Sequence, residues 1–436
     1  MKILVIGGGG REHAIIWALK KSKKVDKVYC CPGNAGIAAI ADCVDIDVDN
    51  VSGLVDFVKY EWIDCTIVGP EVPLCNGIAD TFEKEGLKIF GPNKRAAQLE
   101  CSKAFSKDFM KRNGIPTADY KVFSSYIHAE EYVRIKGAPI VIKADGLAAG
   151  KGVVVAGNAD DAVSAIRMIM KDRVFGTAGD KLVIEDCIEG EEASFMAFTD
   201  GNTIIPMVSS QDHKRVFDND MGANTGGMGA YSPAPVMTPE IEHIVMEKVM
   251  KPTIHALSKE GIKYKGILYA GLMIKDEKPY VLEFNCRLGD PETQAVLMRL
   301  DTELIDIVFG VIEGNLDKVK VEWSNRHSVT VVLASGGYPG KFEKDKPVTG
   351  LDKVKELDDV FVFHAGTGYK DNSIVTAGGR VCAVSALGRN IKDALDKAYS
   401  AIKMIHFDNM HYRKDIAHRA VILKPTEHRE NGVKGS

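Results

Sequence analysis

The chain has no long block of charges of one sign and no long apolar run. Its 56 basic and 60 acidic residues are interspersed and leave a formal net charge of −4. Because a concentrated basic stripe is the electrostatic footprint of nucleic-acid-binding proteins, nucleic acid is not expected as a partner. No stretch reaches the roughly 20 apolar residues that a membrane-spanning helix needs, so a membrane is not expected either.

Clustered cysteines are also missing. The nine cysteines are an odd number and show no C-x-x-C spacing, so we expect neither a disulfide framework nor a zinc site. The apolar start of the chain ends at Gly7 and charged residues follow at once, which argues against a signal peptide. These features together predict a protein of the cytoplasm.

What is present is an ordinary globular composition in a chain too long for one core. Hydrophobic residues make up 45% of the 436 residues and charged residues 27%, which excludes disordered and fibrous classes. Domains cluster at roughly 100–200 residues, so we expect several domains.

Short apolar runs alternate with helical patterns over the first hundred residues. The runs cover 3–6, 28–31, 66–68 and 87–90, and each is followed by a turn rich in glycine or proline. This alternation predicts a parallel sheet with helices on both faces. Because ligands of such sheets bind beyond the carboxyl ends of the strands, we expect these turns to line one binding edge.

The glycine-rich turn after the first run allows several interpretations. Gly7 and Gly9 resemble part of a dinucleotide-binding fingerprint, but Glu12 occupies its third position and no acidic residue ends the second strand. The backbone N–H groups of this turn could instead hold a substrate phosphate. A purely structural tight turn is the third alternative, and the residues alone leave the choice open.

The segment 281–287 reads Val-Leu-Glu-Phe-Asn-Cys-Arg and is typical of a β-strand. Alternation places Glu283, Asn285 and Arg287 on one face. A carboxylate and a carboxamide offer the hard oxygen ligands that Mg²⁺ prefers, while phosphate and water complete its coordination. Arg287 would neutralise charge on a transferring phosphoryl group. By itself the pattern is more typical of a half-exposed strand with a surface ion pair than of a metal site.

Lysine and glycine are concentrated in a second segment, 142–155. Lys143 ends an apolar strand, and the loop that follows contains Gly146, Gly150 and Gly152. Glycine lets backbone N–H groups approach an anion closely, so this loop can close over phosphates. A Walker A motif is excluded because Gly152 stands where Ser or Thr is required. An ordinary hairpin loop with solvated lysines is the alternative.

Two further regions have compositions suited to binding. An apolar strand at 182–188 runs into an acidic linker, whose extended backbone could meet an adenine edge while a carboxylate holds the ribose hydroxyls. The segments 209–215 and 224–231 are polar and rich in turns, and such loops often carry binding groups. Read alone, the first region is more typical of a strand with a solvated acidic end. His213 alone is more typical of a structural or solvated residue than of a catalytic one.

Together these segments resemble the ATP-grasp ligases, in which two α+β lobes clamp ATP. Lys103, Lys143 with its glycine loop, the hinge at 185–188 and the pair at 283–285 follow that family's order. Within this superfamily the chain is similar to the glycinamide ribonucleotide synthetases from residue 1 to about 423. The motifs that carry this resemblance are 8–13, 146–152, 211–215, 224–235, 283–292 and 413–416.

The resemblance implies a multidomain α/β and α+β fold. It comprises an N-terminal parallel-sheet domain, an ATP-grasp domain of two lobes and a small β-rich C-terminal domain. The implied boundaries are 1–100, 101–325 with a mobile lobe at about 120–190, 326–424, and a disordered tail at 425–436.

The implied activity is the second step of de novo purine biosynthesis. A monomeric, cytoplasmic ligase would form 5-phosphoribosylglycinamide from 5-phosphoribosylamine, glycine and ATP, with Mg²⁺ or Mn²⁺. Glycyl phosphate would be the intermediate, because a carboxylate is a poor electrophile and phosphorylation supplies a leaving group.

The resemblance also implies roles for individual positions. Residues expected to bind ATP are Lys103, Lys143, Gly146, Gly150, Gly152, Glu185, Ile188 and Glu192. Residues expected on the side of glycine and phosphoribosylamine are Gly9, Arg11, Asn34, Asp212, Lys214 and Asp290. Residues expected at the reacting groups are Arg287, Lys143 and Asp290, and the metal ligands are Glu283 and Asn285.

Two rival functions stay open. One is another ATP-grasp ligase that uses a different carboxylate, and the other is a nicotinamide-dependent dehydrogenase built on the first domain. The number of metal ions is open as well. Many ATP-grasp enzymes carry a further acidic or amide ligand one strand upstream of the Glu-x-Asn pair, and the stretch 269–273 has none.

Overall fold

A computed structural model describes residues 1–147 and 152–422. Gly150, which we expect in the phosphate-covering loop, lies outside the described residues, as does the tail expected at 425–436.

A five-stranded parallel sheet in the order β3-β2-β1-β4-β5 forms the first region. Its strands are β1 (Lys2–Gly7), β2 (Lys27–Pro32), β3 (Asp42–Cys43), β4 (Cys65–Val68) and β5 (Ile89–Phe90). The helices around it are α1 (Gly10–Leu19), α2 (Val51–Glu61), α3 (Glu71–Asn76), α4 (Ile78–Lys84) and α5 (Lys94–Cys101). The inner strands are apolar along their length because helices cover both faces, and the predicted parallel sheet is confirmed.

Two antiparallel four-stranded sheets follow helix α6 (Lys103–Arg112), as expected of two α+β lobes. The first, in the order β6-β9-β7-β8, contains β6 (Tyr120–Phe123), β7 (Ile140–Ala144), β8 (Val153–Ala156) and β9 (Leu182–Asp186), with α7 (Tyr126–Lys136) and α8 (Ala159–Ile166). The second has the order β11-β10-β16-β17. Between β9 and β10 lies the linker on which we expect adenine.

The second sheet carries the predicted metal pair at one edge. Its strands are β10 (Glu191–Thr199), β11 (Ile204–Pro206), β16 (Gly266–Lys275) and β17 (Lys278–Asn285). Between β11 and β16 the chain forms β12 (Gln211–Asp212), β13 (Arg215–Phe217), β14 (Met221–Asn224), β15 (Gly229–Ser232), α9 (Pro239–Val245) and α10 (Lys251–Lys259).

A third antiparallel sheet, in the order β12-β15-β18-β22-β19, combines strands from before and after residue 326. Elements that complete the chain are α11 (Glu292–Val296), α12 (Leu304–Glu313), β18 (His327–Ala334), α13 (Leu351–Val354), β19 (Val360–His364), β20 (Thr367–Lys370), β21 (Ser373–Thr376), β22 (Arg380–Gly388), α14 (Ile391–Ile402) and α15 (His418–Ile422). The middle region thus contributes β15 directly to the C-terminal sheet.

The cysteine pattern needs one correction. Cys75 at the end of α3 and Cys101 at the end of α5 form a disulfide, with Cα atoms 5.8 Å apart. Counting cysteines could not find it, because the two helix ends meet only through the packing of α3 on α5. Over the described ranges, no helix is both long and apolar enough to cross a membrane.

Candidate active site

The strand β17 presents the predicted metal ligands in the interior of the site. It pairs with β16 so that Glu283 lies opposite Gly271, and the register shifts at this point. Alternation is therefore interrupted: Val281 and Phe284 are buried, whereas Leu282 between them is partly exposed. The strand ends at Asn285, so Arg287 lies just beyond it rather than on it.

Glu283 lies among lysine side chains from three different segments. Burial raises the pKa of its carboxyl, but the charges of Lys214, Lys143 and Lys103 more than offset this, and the pKa lies below its ordinary value. The group is therefore an ionised carboxylate at neutral pH, although it is half-buried. A half-buried carboxylate held ionised by cations is the kind of perturbed group found at functional sites.

Lys143 is fixed by two contacts inside the fold. Its Nζ lies 2.8 Å from Oε1 of Glu185 and donates to the backbone oxygen of Leu282 at 3.0 Å. The other oxygen of Glu185 lies 2.7 Å from Nζ of Lys107, which is buried. Burial lowers the pKa of Lys107 to about 8, with Glu185 opposing the shift. Glu185 therefore links two lysines in this structure.

Lys103 lies at the start of α6, next to the glycine loop. Its Nζ donates to the backbone oxygen of Gly146 at 3.1 Å, and its own N–H donates to the backbone oxygen of Asp145. The carboxylate of Asp145 accepts from Ser102, the N-cap of α6. Beyond the loop, the backbone oxygen of Gly152 accepts from Ala144, which closes the β7–β8 ladder. Lys103 and Gly146 are thus brought together, and Gly152 directly precedes β8.

The hinge between β9 and β10 contains the other expected ATP ligands. Ile188 is half-buried in the linker, and Glu192 lies at the start of β10. Oε2 of Glu192 is 2.7 Å from Nζ of Lys214. This ion pair connects the hinge with the turn-rich segment that contains Asp212.

Asp212 is buried beside the same lysine. Burial raises the pKa of its carboxyl to about 7; Lys214 opposes this, while Glu292 and Glu192 add to it. Glu292 accepts hydrogen bonds from Tyr269 at 2.5 Å and Ser194 at 3.2 Å. Carboxylates and one lysine are therefore concentrated between β10, β12 and the start of α11.

Arg287 is held by carboxylates of the N-terminal region. Nη2 lies 2.8 Å from Glu100 and Nε lies 3.5 Å from Glu71, while Nη2 also donates to Oδ1 of Asn285 at 3.1 Å. Burial lowers the pKa of the guanidinium, but Glu100 and Glu71 outweigh it and hold the pKa above its ordinary value. The predicted cation lies beside the predicted metal pair, oriented by α3 and α5.

Asp290 pairs with a residue of the C-terminal sheet. Its Oδ2 is 3.0 Å from Nη2 of Arg380, and its Oδ1 accepts from Gln294 at 2.8 Å. Arg380 also donates to the backbone oxygen of Gly226 at 2.7 Å. Burial raises the pKa of Asp290, but Arg380 and then Arg11 outweigh this and hold it below its ordinary value.

The predicted N-terminal residues meet the same crevice. Nε of Arg11 lies 2.6 Å from Glu12, and its Nη1 donates to the backbone oxygen of Leu288 at 3.2 Å. The N–H of Gly9 donates to the other oxygen of Glu12 at 2.6 Å. Asn34 uses its amide to fasten the backbone of Gly8 to that of His364. Here Asn34 organises the crevice wall through backbone contacts.

The donor set at Glu283 and Asn285 fits a divalent cation. One ionised carboxylate and one carboxamide oxygen suit Mg²⁺, which usually keeps several waters and phosphate oxygens. Among the described residues there is no group of three or more His, Cys, Asp and Glu side chains that could hold a metal. A site with two protein ligands therefore depends on the nucleotide for the rest of its coordination.

Sequence reasoning missed several residues of this site. Lys107 could have been found, because it follows Lys103 by four positions and therefore shares its helix face. Glu71, Glu100 and Arg380 gave no local signal, since each reaches its partner only through the tertiary fold.

Comparisons with known proteins cover nearly the whole chain. Three family profiles described as phosphoribosylglycinamide synthetase match it: the N domain over residues 1–100, the ATP-grasp (A) domain over 101–293 and the C domain over 328–419.

Individual relatives agree with these profiles. A phosphoribosylamine–glycine ligase of Vibrio parahaemolyticus is 50% identical over 97% of this chain and 99% of its own length. Another, of Neisseria meningitidis, is 51% identical over 97% of this chain and 100% of its own. The crystal structure of the Thermotoga maritima phosphoribosylamine–glycine ligase superposes with a TM-score of 0.83 at 33% identity, covering 95% of this chain and 100% of that one. The chain therefore belongs to the phosphoribosylamine–glycine ligase family of ATP-grasp enzymes.

Proposed function

We propose that this protein makes 5-phosphoribosylglycinamide from 5-phosphoribosylamine, glycine and ATP in purine biosynthesis, through a glycyl phosphate intermediate. The family assignment supports the overall reaction. The observation that carries the mechanism is Glu283, a half-buried carboxylate whose pKa is held below its ordinary value by the charges of lysines from three segments. Such a cluster gathers opposite charges where a nucleotide, its metal and a carboxylate substrate must meet.

In this proposal glycine's carboxylate attacks the γ-phosphate of ATP, and ADP leaves. The amine of phosphoribosylamine then attacks the acyl carbon, and phosphate leaves. Phosphoryl transfer needs little covalent help from the protein, so positioning and charge neutralisation do most of the work.

Each predicted residue has a role in that scheme. Lys103 and Lys143 contact phosphates, and the glycine loop excludes water that would hydrolyse the acyl phosphate. Glu283 and Asn285 would hold Mg²⁺ or Mn²⁺, which neutralises phosphate charge when bound. Arg287 lies beside them for the transferred group. The hinge at 185–188 and Glu192 serve adenosine.

Substrate positions complete the proposal. Asp290 orients the glycine ammonium, and its low pKa keeps it anionic for that purpose. Gly9, Arg11, Asn34, Asp212 and Lys214 form the phosphoribosylamine side. The enzyme is proposed to act as a monomer in the cytoplasm.

An ADP-release assay with single omissions tests the reaction. ADP should appear only when ATP, glycine and a divalent cation are all present, and its release should be slower when phosphoribosylamine is left out. ADP formation with another carboxylate in place of glycine would favour a different ATP-grasp ligase. Binding of a nicotinamide cofactor with no ADP formation would favour a dehydrogenase.

Glu283→Ala tests the metal pair. The substitution should abolish glycine-dependent ADP release and leave the fold intact, because only one ligand would remain for the cation. Glu277→Ala is the matched control, since Glu277 lies exposed in the turn that joins β16 to β17. Full turnover of the Glu283 variant at saturating magnesium would disprove the assignment.

A further inference from the structure

The motif at 413–416 is one of those that carry the family resemblance, but it has no role in the proposed reaction. Arg413 is fully buried, and all three nitrogens of its guanidinium donate hydrogen bonds. Nε and Nη2 donate to the carboxylate of Asp415, each at 2.7 Å. Nη1 donates to Asp220 at 2.8 Å and to the backbone oxygen of Arg215 at 3.1 Å. A buried arginine with this many partners holds two chain segments together.

The second segment is the hairpin formed by β13 and β14, which follows Asp212 and Lys214 directly. Its tip is Asp218–Asp220, where Asn219 and Asp220 have positive φ angles of 58° and 54°. Non-glycine residues adopt this conformation at a cost, so neighbouring contacts must hold it. Residues 411–419, which we call the C-terminal segment, supply contacts of this kind.

The C-terminal segment grips the tip at three successive residues. The N–H of Lys414 donates to Asp218 at 2.8 Å, and the N–H of Asn219 donates to Asp415 at 2.8 Å. Arg419 donates to the second oxygen of Asp220 at 2.5 Å. Nε2 of His411 lies 2.8 Å from the backbone oxygen of Val216. The tip is thus fixed from one side.

A separate contact reaches the base of the hairpin through His213. Its Nε2 accepts the N–H of Ala417 at 3.0 Å, and its ring lies 5.4 Å from that of His418. Accepting this bond requires an unprotonated Nε2, and burial lowers the pKa of His213 to about 4. The imidazole is therefore neutral at neutral pH and can accept this hydrogen bond.

His213 stands between the two substrate-side residues. Adjacent side chains of an extended chain point to opposite sides, so Asp212 and Lys214 face away from the C-terminal segment. They face the acidic group that includes Glu192, 2.7 Å from Lys214. The backbone of His213 bonds to Gly229 and Met228, and its ring bonds to Ala417, so both sets of contacts fix the chain on either side of His213.

We infer that the C-terminal segment is a clamp that positions Asp212 and Lys214 for phosphoribosylamine, with Arg413 and His213 as positioning residues. This inference rests on the proposed substrate-side role of Asp212 and Lys214. Besides the hairpin and His213, the segment bonds to Ala334 of β18 and Tyr399 of α14, and among the described residues none of its hydrogen bonds reaches β7, β9 or β17. Because Lys214 also pairs with Glu192 of the nucleotide side, we expect the main effect on phosphoribosylamine and a smaller one on ATP.

Arg413→Lys is the main test, because lysine keeps the charge but cannot make the forked contacts. The KM for phosphoribosylamine should rise roughly tenfold, the loss expected of a charge-assisted hydrogen bond, while KM for ATP and glycine stays within about twofold. Arg326→Lys is the matched control: Arg326 lies in the same region and pairs with Asp359, away from the hairpin. A purely structural role would instead lower kcat with every KM unchanged, and that result would overturn the clamp.

Asp220→Asn supplies a second test that leaves the buried arginine in place. It should raise the same KM and speed amide hydrogen exchange at Thr225 and Met228, whose N–H groups bond to Lys214 and His213. Exchange in β1 should not change. Unaltered exchange together with unaltered KM in this variant would overturn the clamp even if Arg413→Lys fails to fold.

Asp212→Asn and Lys214→Met separate the two claims. If neither raises KM for phosphoribosylamine, the proposed substrate side is wrong. If both raise it while Arg413→Lys and Asp220→Asn do not, the substrate side stands and the clamp is wrong.

Discussion

Individual buried charges organise the nucleotide side of the site, and Lys107, paired with Glu185, is one of them. Lys107→Met should lower the free energy of unfolding by about 3 kcal/mol, because Glu185 loses one of its two buried cations. KM for ATP should also rise, since Glu185 would then draw Lys143 away from phosphate. Urea unfolding and ADP-release kinetics measure the two effects.

Lys111→Met is the control for that substitution, because Lys111 lies on the same helix and is exposed. If the Lys107 variant has the same unfolding free energy and the same KM for ATP as the wild type, the linked lysines do not support the site.

Asp212 gives the stability of the protein a pH dependence. Between the ordinary carboxyl pKa and about 7, the folded protein keeps a proton on Asp212 that the unfolded chain has released. The unfolding free energy contributed by this group therefore falls as pH rises through that window. Asp212→Asn cannot titrate, so its unfolding free energy should fall less steeply than that of the wild type. Urea unfolding from about pH 5 to about pH 8 measures this, and parallel curves would contradict it.

At the scale of elements, the disulfide joins two helices that both carry a partner of Arg287. Cys75→Ser should lower the free energy of unfolding by about 3 kcal/mol, because a cross-link over 26 residues restricts the unfolded chain. A thiol reductant should lower the unfolding free energy of the wild type by a similar amount and leave that of the variant unchanged. Cys43→Ser, at an exposed free thiol, is the control. A reductant that affects variant and wild type equally would contradict the prediction.

Elements whose pattern is local could be predicted from the sequence. The apolar runs of the first region and the strand that carries Glu283 were readable, because alternation and turn residues act over a few positions. The register shift beside Leu282 and the ending of β17 before Arg287 were not, since they depend on pairing with β16. The disulfide and the contacts of Arg287 join residues far apart in sequence, and no spacing rule reaches them.

At the scale of the whole molecule, Arg380 brings the C-terminal sheet to the substrate side. Arg380→Gln should raise the pKa of Asp290, because Arg380 is the main group that counters its burial. On acidification, Asp290 would then become protonated at a higher pH than in the wild type. The acid limb of the pH profile of ADP release should therefore move to higher pH.

Arg389→Gln provides the comparison, since Arg389 is 89% exposed and pairs only locally with Asp393. An acid limb that stays in place in the Arg380 variant would show that Asp290 does not set it.

The sheet that spans residue 326 decides where the chain can be cut. β18 lies between β15 and β22, so a fragment that stops at 325 leaves β15 with a row of unpaired N–H and C=O groups. Such an open edge is a template for pairing with other chains. Fragment 1–325 is therefore expected to aggregate on expression, even though the sequence changes character at that point. The regions before and after residue 326 should therefore unfold as one cooperative unit. A hybrid enzyme with an exchanged C-terminal region would need a new strand that pairs with β15 as β18 does.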